Sequence, residues 1–258
     1  MPLLKEIVIA IQGYIKAHQF IREHRLWKWI WIPGIIYATV FVISIYYFGK
    51  TSNLFIEWLS LKTGLKAWLD TDKTGVLGFF FTLAGLILWL VQVLFYFSFF
   101  KYAWLIVGSP VFAFLSEKTE SIITGREAAF SFQVLISDIF RGISIALRNA
   151  LWQTVYFVAI FILALIPLLG WITPLMAVLL ECFYYGFSMV DYSCKRRKMT
   201  MAGSIFFVNH HKGSAIGNGL VFYGMHLLPV IGWVLAPAYA VVAATLSMMD
   251  VLPTNESP

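Results

Sequence analysis

Residues 22 to 28 read REHRLWK and sit directly before the first long uncharged segment. Arg22, Arg25 and Lys28 supply guanidinium and ammonium groups there. The N–H groups around Trp27 to Trp29 have no intrahelical acceptor if a helix starts at this point. Cationic side chains and open N–H groups at the positive end of a helix are what hold a small oxyanion, so Arg22, Arg25, Trp27 and Lys28 form the candidate anion-binding group. The same residues, with Trp29, also fit an interfacial belt of snorkelling cations and aromatic anchors.

Other ionisable residues are placed where they could line or gate a polar path. Glu117 and Glu120 flank Lys118 and read as partners for basic groups near a pore, as proton-linked carboxylates, or as ion pairs on a solvated helix face. Glu181 lies inside the otherwise uncharged run Leu175 to Val190, where a carboxylate is costly unless paired or protonated. His226, in a second apolar run, reads as a gating group or as a satisfied packing histidine. His210 and His211 are adjacent and diverge on a helix, so no metal site is expected. Cys182 and Cys194 match no disulfide or metal framework. There is no Gly-x-Ser-x-Gly elbow, no His-Glu-x-x-His, no phosphate-cradling loop and no paired aspartates, so no catalytic residue or cofactor is assigned and an enzyme is not expected.

The elements that would carry these groups are helices in a bilayer. With 60% hydrophobic and 12% charged residues and a mean hydropathy of +0.80, the chain reads as a single all-α integral membrane domain over residues 1–258. No removable signal peptide is read at the start. Residues 1–25 place Leu3, Leu4, Ile7, Ile11, Tyr14 and Ile15 at helical spacing, an amphipathic helix for the interface or a buried packing helix. Spanning helices are expected at 26–49 and 75–100, the second ended by Lys101 as a snorkelling marker. Residues 108–150, which include the amphipathic piece Phe132 to Leu147, read as helices at the surface.

Two interrupted apolar runs follow. IPLLGWITP at 166–174 carries Pro167, Gly170, Trp171 and Pro174, and LPVIGWVLAP at 228–237 carries Pro229, Gly232, Trp233 and Pro237. Prolines around a Gly-Trp pair break helix hydrogen bonds and fold the run back. The arms of the first copy, Leu151 to Ile166 and Leu175 to Val190, are about 16 residues or about 24 Å each, short of a hydrocarbon core of about 30 Å. The expectation is two partly inserted, hemi-penetrating hairpins, at 151–190 and 217–250. Only residues 49 to 75 would then lie opposite everything else, and they hold four of the 19 basic residues, which favours both termini in the cytoplasm. The run Lys195 to Lys198 reads as a topology determinant on anionic lipid. Membrane lipid, not nucleic acid, is the expected surrounding.

Several pieces, in this order, carry a resemblance: QGYIKAHQ at 12–19 with LWKWIWIPGII at 26–36, GSPVFAFLSEKTE at 108–120, IPLLGWITP, the VDY at 190–192, and LPVIGWVLAP followed by MMD at 248–250. Together they resemble the CysZ family of bacterial sulfate permeases, which shares its domain type with the eukaryotic etoposide-induced membrane proteins. The resemblance implies two spanning helices with two partly inserted hairpins, a homo-oligomer of two or more chains in the bacterial inner membrane, and sulfate uptake feeding cysteine biosynthesis. In the family two adjacent arginines occupy the turn where this chain has Trp27 and Lys28. Asn209 and His211 replace basic positions, and Ser193 and Lys195 stand where the family continues with a proline and an acid. Two rival readings stay open: a non-transporting scaffold or envelope-homeostasis protein of the same fold, and a lipid-acting intramembrane enzyme if Glu181 and His226 converge.

Overall fold

The computed structural model describes residues 3–62, 96, 100–125, 132–164, 172–228 and 230–251. The span expected at 75–100 falls outside the described residues except for positions 96 and 100. Pro167, Gly170 and Trp171 at the first hairpin tip lie outside them too, as does Pro229 at the second. Among the described residues every regular element is a helix: α1 (Leu3–Glu23), α2 (Trp27–Lys62), α3 (Ser109–Thr124), α4 (Phe132–Ala164), α5 (Thr173–Arg196), α6 (Met201–His210), α7 (Lys212–His226) and α8 (Ile231–Val251), with a further helical stretch at 100–107. Among the described residues four segments are long and apolar enough to cross a bilayer: Trp27–Leu54, Ile136–Leu163, Thr173–Arg196 and Ile231–Val251. The chain is therefore a multi-pass membrane protein.

Helix lengths change one premise of the hairpin expectation. The arm expected to begin at Leu151 is the second half of α4, a helix that runs unbroken for 33 residues, about 50 Å. Nothing between Phe132 and Ala164 stops it, because the segment has no proline and its one glycine, Gly142, packs against Ser109 and Tyr192. The amphipathic piece and the apolar arm are one rod. The returning helix α5 has 24 residues, about 36 Å, and α8 has 21, about 32 Å. Only α7, at 15 residues or about 22 Å, is short in the way the sequence reading required. Arm length is thus no reason to deny α4, α5 or α8 a full crossing. Similarly α2 continues past Gly49 to Lys62, with Pro33 close to its start.

The chain divides into two units, Met1–Ala38 with Lys101–Pro258, and Thr39–Phe100. In the larger unit α8 is the central helix. Its residues 236–244 are buried throughout, because α1, α3, α5 and α7 all pack on it. Its hydropathy therefore marks a protein core more than a lipid-facing surface. Backbone approach is what makes this packing dense: a Cβ at Gly186 would collide with the Ala215 backbone, and one at Gly219 with the Cys182 backbone, which locks α5 to α7. The small-residue pair Gly213 and Gly217 turns the other way, onto Leu3, Glu6, Ile7 and Ala10 of α1.

The inward face of α1 holds Ala10, Gly13, Tyr14, Ala17 and Ile21, while Leu4, Val8, Ile11 and Ile15 form an exposed apolar stripe. Tyr14, read on one apolar face with Ile11 and Ile15, is on the buried side and donates its hydroxyl to the Asn218 carbonyl at 2.8 Å. Burial pushes that phenol well above its ordinary pKa, so it stays a donor. In the smaller unit, Phe48 stacks on Tyr96 at 4.3 Å and Phe41 meets Phe100 edge to face at 5.1 Å.

Candidate functional site

The turn at 22–28 has a defined geometry. The helix α1 closes in a Schellman motif: Leu26 N–H donates to the Ile21 carbonyl at 3.1 Å and Arg25 N–H to the Arg22 carbonyl at 3.4 Å. Arg25 occupies the left-handed position with φ +53°, where glycine is the usual residue. Leu26 and Ile21, the apolar pair of such a motif, are both buried. Arg22, Arg25 and Lys28 are all exposed, and no carboxylate among the described residues pairs with any of them. Trp29 N–H reaches back to Leu26 at 3.0 Å, which leaves the N–H groups of Trp27 and Lys28 at the open end of α2. The aromatic rings pin this turn: Trp27 lies edge-on to His18 at 6.3 Å, His18 hydrogen-bonds the Tyr239 hydroxyl at 2.8 Å, and Trp29 tilts over Phe114 at 4.3 Å.

Glu181 is not alone in the apolar part of α5. Its Oε2 accepts from Lys101 Nζ at 2.5 Å and from the Tyr223 hydroxyl at 2.8 Å, and its Oε1 accepts from Gln153 Nε2 at 2.5 Å. The Gln153 carbonyl in turn accepts from Lys101 Nζ at 2.7 Å and from the Tyr102 hydroxyl at 2.5 Å. Lys101 also lies 4.5 Å over the Tyr102 ring. The lysine expected to snorkel at a helix end is buried instead, because a carboxylate and an amide reach it from α5 and α4. His226 has a separate setting: its Nε2 meets the Tyr37 hydroxyl at 2.8 Å, and Trp233 Nε1 donates to its carbonyl at 3.1 Å. The convergence that a lipid-acting enzyme would need is therefore not what organises these two residues.

Polar rungs follow the antiparallel α4–α5 contact from its base as far as Gln153 and Glu181. Asp138 pairs with Lys195 and Arg196, and Arg196 also reaches Glu117 at 3.3 Å. Arg141 takes Asp191 in a bidentate grip at 3.1 and 2.8 Å and donates to the Met199 carbonyl at 2.6 Å, with Ser204 on the same carboxylate. Asn149 donates to Ser188 at 3.2 Å, and the Gln153–Glu181 rung comes next. Lys195 and Arg196, expected to touch lipid headgroups, are thus held by α4 and α3. Of the two candidate acids on α3, Glu117 pairs with Arg196, and partly exposed Glu120 acts on the same guanidinium. Both belong to this charge cluster.

A further buried carboxylate escaped sequence reasoning. Glu6 of α1 accepts from the Gly213 N–H at 3.1 Å and meets His211 Nδ1 at 2.7 Å, so it caps the start of α7. Gln153, Tyr223, Asp138 and Arg141 were also missed. Asp138, Arg141, Asn149 and Gln153 do recur on one face of α4, a polar stripe at helical spacing that a longer reading of this helix would have exposed. Of the tip residues that are described, Gly232 lies against the Met225 backbone, Pro237 is buried inside α8, and Pro174 opens α5.

Comparison with known proteins bears on the whole chain. The family described as Sulfate transporter CysZ/Etoposide-induced protein 2.4 matches residues 14–237. Proteins named Sulfate transporter CysZ are similar in sequence. One from Pseudomonas fluorescens strain Pf0-1 is 25% identical over 217 residues, covering 83% of this chain and 82% of its own length. One from Pseudomonas aeruginosa LESB58 is 26% identical over 218 residues, covering 83% and 84%. One from Pseudomonas fluorescens Pf-5 is 28% identical over 143 residues, where the match spans 57% of that relative. Since the matched region takes in the cationic turn, α3, the polar α4–α5 ladder and most of the second hairpin, the chain belongs to the CysZ/etoposide-induced protein 2.4 family.

Proposed function

We propose that this protein moves a small inorganic oxyanion, sulfate in particular, across the bacterial inner membrane for sulfur assimilation and cysteine biosynthesis. The observation that carries the reading is the cationic turn. Arg22, Arg25 and Lys28 stand exposed at the open end of α2, and no described carboxylate neutralises them, whereas Lys101, Arg141, Lys195 and Arg196 are all paired. A dianion arriving there meets three positive charges and a helix N-terminus, and its own charge favours binding over water more than a monovalent ion's would. Its relatives' names point the same way, to sulfate and to transport, not to an enzyme. No nucleotide-binding motif is present in the sequence, so a concentration gradient or downstream consumption drives net flux.

The polar ladder between α4 and α5 supports a path through the larger unit, and Glu181 and His226 are its candidate gating groups. The exposed apolar residues Leu227, Leu228, Val230 and Ile231 at the second tip fit a hairpin that ends among lipid chains or against another copy of the chain. Exposed Leu151, Val155, Val158 and Ile162 on α4 fit the same homo-oligomer or lipid surroundings. A non-transporting scaffold is the second reading. His211, at a position basic in the family, is held by Glu6 here instead of standing open to an anion.

The test is radiolabelled sulfate uptake into proteoliposomes holding the wild type or the Arg25→Ala, Lys28→Ala double variant. The wild type is expected to take up sulfate, and the double variant about tenfold less at low sulfate, as loss of a charge-assisted contact implies. Flux no greater than in protein-free vesicles ends the transport reading and leaves the scaffold.

A further inference from the structure

The group around Glu181 is built as an anion site. An ammonium, an amide NH2 and a phenol hydroxyl, carried by the 100–107 stretch, α4 and α7, deliver three hydrogen bonds to the two oxygens of one carboxylate. Gln153 has no freedom to turn its amide round, because its carbonyl already accepts from both Lys101 and Tyr102. Its NH2 therefore faces the same point whatever anion sits there. The donors come from elements fixed by other packing, so the cradle does not depend on Glu181 to assemble it.

We infer that Lys101, Gln153 and Tyr223 form a second oxyanion site within the larger unit, filled in this state by Glu181 as a tethered stand-in that a diffusing oxyanion displaces. The occupant lies on the open side: the Lys101 side chain is 5% exposed and that of Glu181 17%. Glu181 can thus leave without the lysine moving. Buried ion pairs are weak contributors to stability compared with apolar packing of the same volume, so a stabilising role alone gives little reason for a charged pair in an apolar helix. Exchange of one carboxylate for one oxyanion leaves Lys101 paired with an anion at both ends of the step. A cradle with a single cation holds a dianion weakly, and conduction requires a site that an ion can leave.

This inference places a second station on the transport route proposed above, and its first test does not depend on that route. Purified full-length wild type, Glu181→Ala and Glu181→Ala with Lys101→Met are melted in chloride, and again with sodium formate or sodium sulfate replacing chloride at constant ionic strength. Formate supplies the missing carboxylate, and sulfate the tetrahedral oxyanion. Glu181→Ala is expected to gain about 5 °C in Tm from either anion, saturably, and the double variant and the wild type much less. No anion-dependent gain in Glu181→Ala, or an equal gain in the double variant, overturns the inference. Should Glu181→Ala fail to fold, Glu181→Gln keeps the shape and loses the charge. Its weaker hold on Lys101 is expected to lower the sulfate concentration for half-maximal uptake roughly threefold. An unchanged value sinks the exchange step, while wild type that carries no sulfate at all sinks the transport reading and leaves the melting result to decide the cradle.

Discussion

Arg25 takes φ +53° at a helix end where the backbone asks for glycine, and a left-handed L-residue costs about 1 kcal/mol. The same Schellman pattern closes α5. There Lys198 has φ +58°, with Met199 N–H donating to the Cys194 carbonyl at 3.1 Å and Lys198 N–H to the Lys195 carbonyl at 2.9 Å. Two basic residues share one strained conformation, and they differ in what surrounds them. Arg25 stands beside Arg22, Lys28 and the open start of α2. Lys198 follows a cluster whose cations are already paired with Asp138 and Asp191. Arg25→Gly and Lys198→Gly are therefore each expected to stabilise the fold by about 1 kcal/mol, read as a rise in the unfolding midpoint in detergent. Only Arg25→Gly is expected to weaken sulfate binding, by about threefold in the half-saturating concentration of uptake, the rest of the double variant's loss falling to Lys28. If both variants transport like wild type, the Arg25 guanidinium is not a ligand and its strain has another cause.

Between helices, the α4–α5 pair is joined by ion pairs at its base, by the neutral Asn149–Ser188 rung further along, and then by Gln153 on the Glu181 carboxylate. Asp138 is 2% exposed and faces two cations, so Asp138→Asn takes from Lys195 and Arg196 the buried carboxylate they share. Breaking a buried pair from one side typically costs about 3–5 kcal/mol, and chemical denaturation of Asp138→Asn should show a loss of that order. Asp138→Asn with Arg196→Met should recover part of it, because the orphaned charge goes with the second change. Glu181 was legible from sequence because a lone carboxylate in an apolar run is conspicuous. Gln153 and Tyr223 were not, since uncharged polar residues are ordinary in helices and only the fold says which of them face each other. Lys101 was misread for the same reason: position at the end of an apolar run predicts snorkelling, and the carboxylate that overrides it lies 80 residues away in sequence. The length of α4 was hidden by its composition. Its first half is amphipathic and its second half apolar, which reads as two segments, while the backbone sees no breaker anywhere along it.

At the level of the whole molecule the second hairpin joins a core wrapped by protein to a bare apolar tip. Its core is secure: α8 is wrapped by protein, and Asn218 Nδ2 donates to the Ala240 carbonyl at 2.9 Å across the pair. The tip is the reverse, with Leu227 83% and Val230 62% exposed, and with β-branched Val230 at φ +63°. A tip of bare apolar side chains beyond a 15-residue arm is stable in hydrocarbon or against a second chain, and costly in water. A hairpin that enters and returns predicts that Val230→Cys reacts with membrane-impermeant maleimide from neither side of sealed vesicles. Lys198→Cys and Lys212→Cys, near the base of the two hairpins, should react from one common side. The native thiols give little background, because Cys182 and Cys194 are both buried. Labelling of Val230→Cys from the face opposite Lys212→Cys would mean that α7 and α8 cross completely, a short helix reaching through by local thinning of the bilayer. Labelling of the tip that appears only at low protein-to-lipid ratio would instead place it in the contact between copies, since dilution separates the chains and uncovers what they shield.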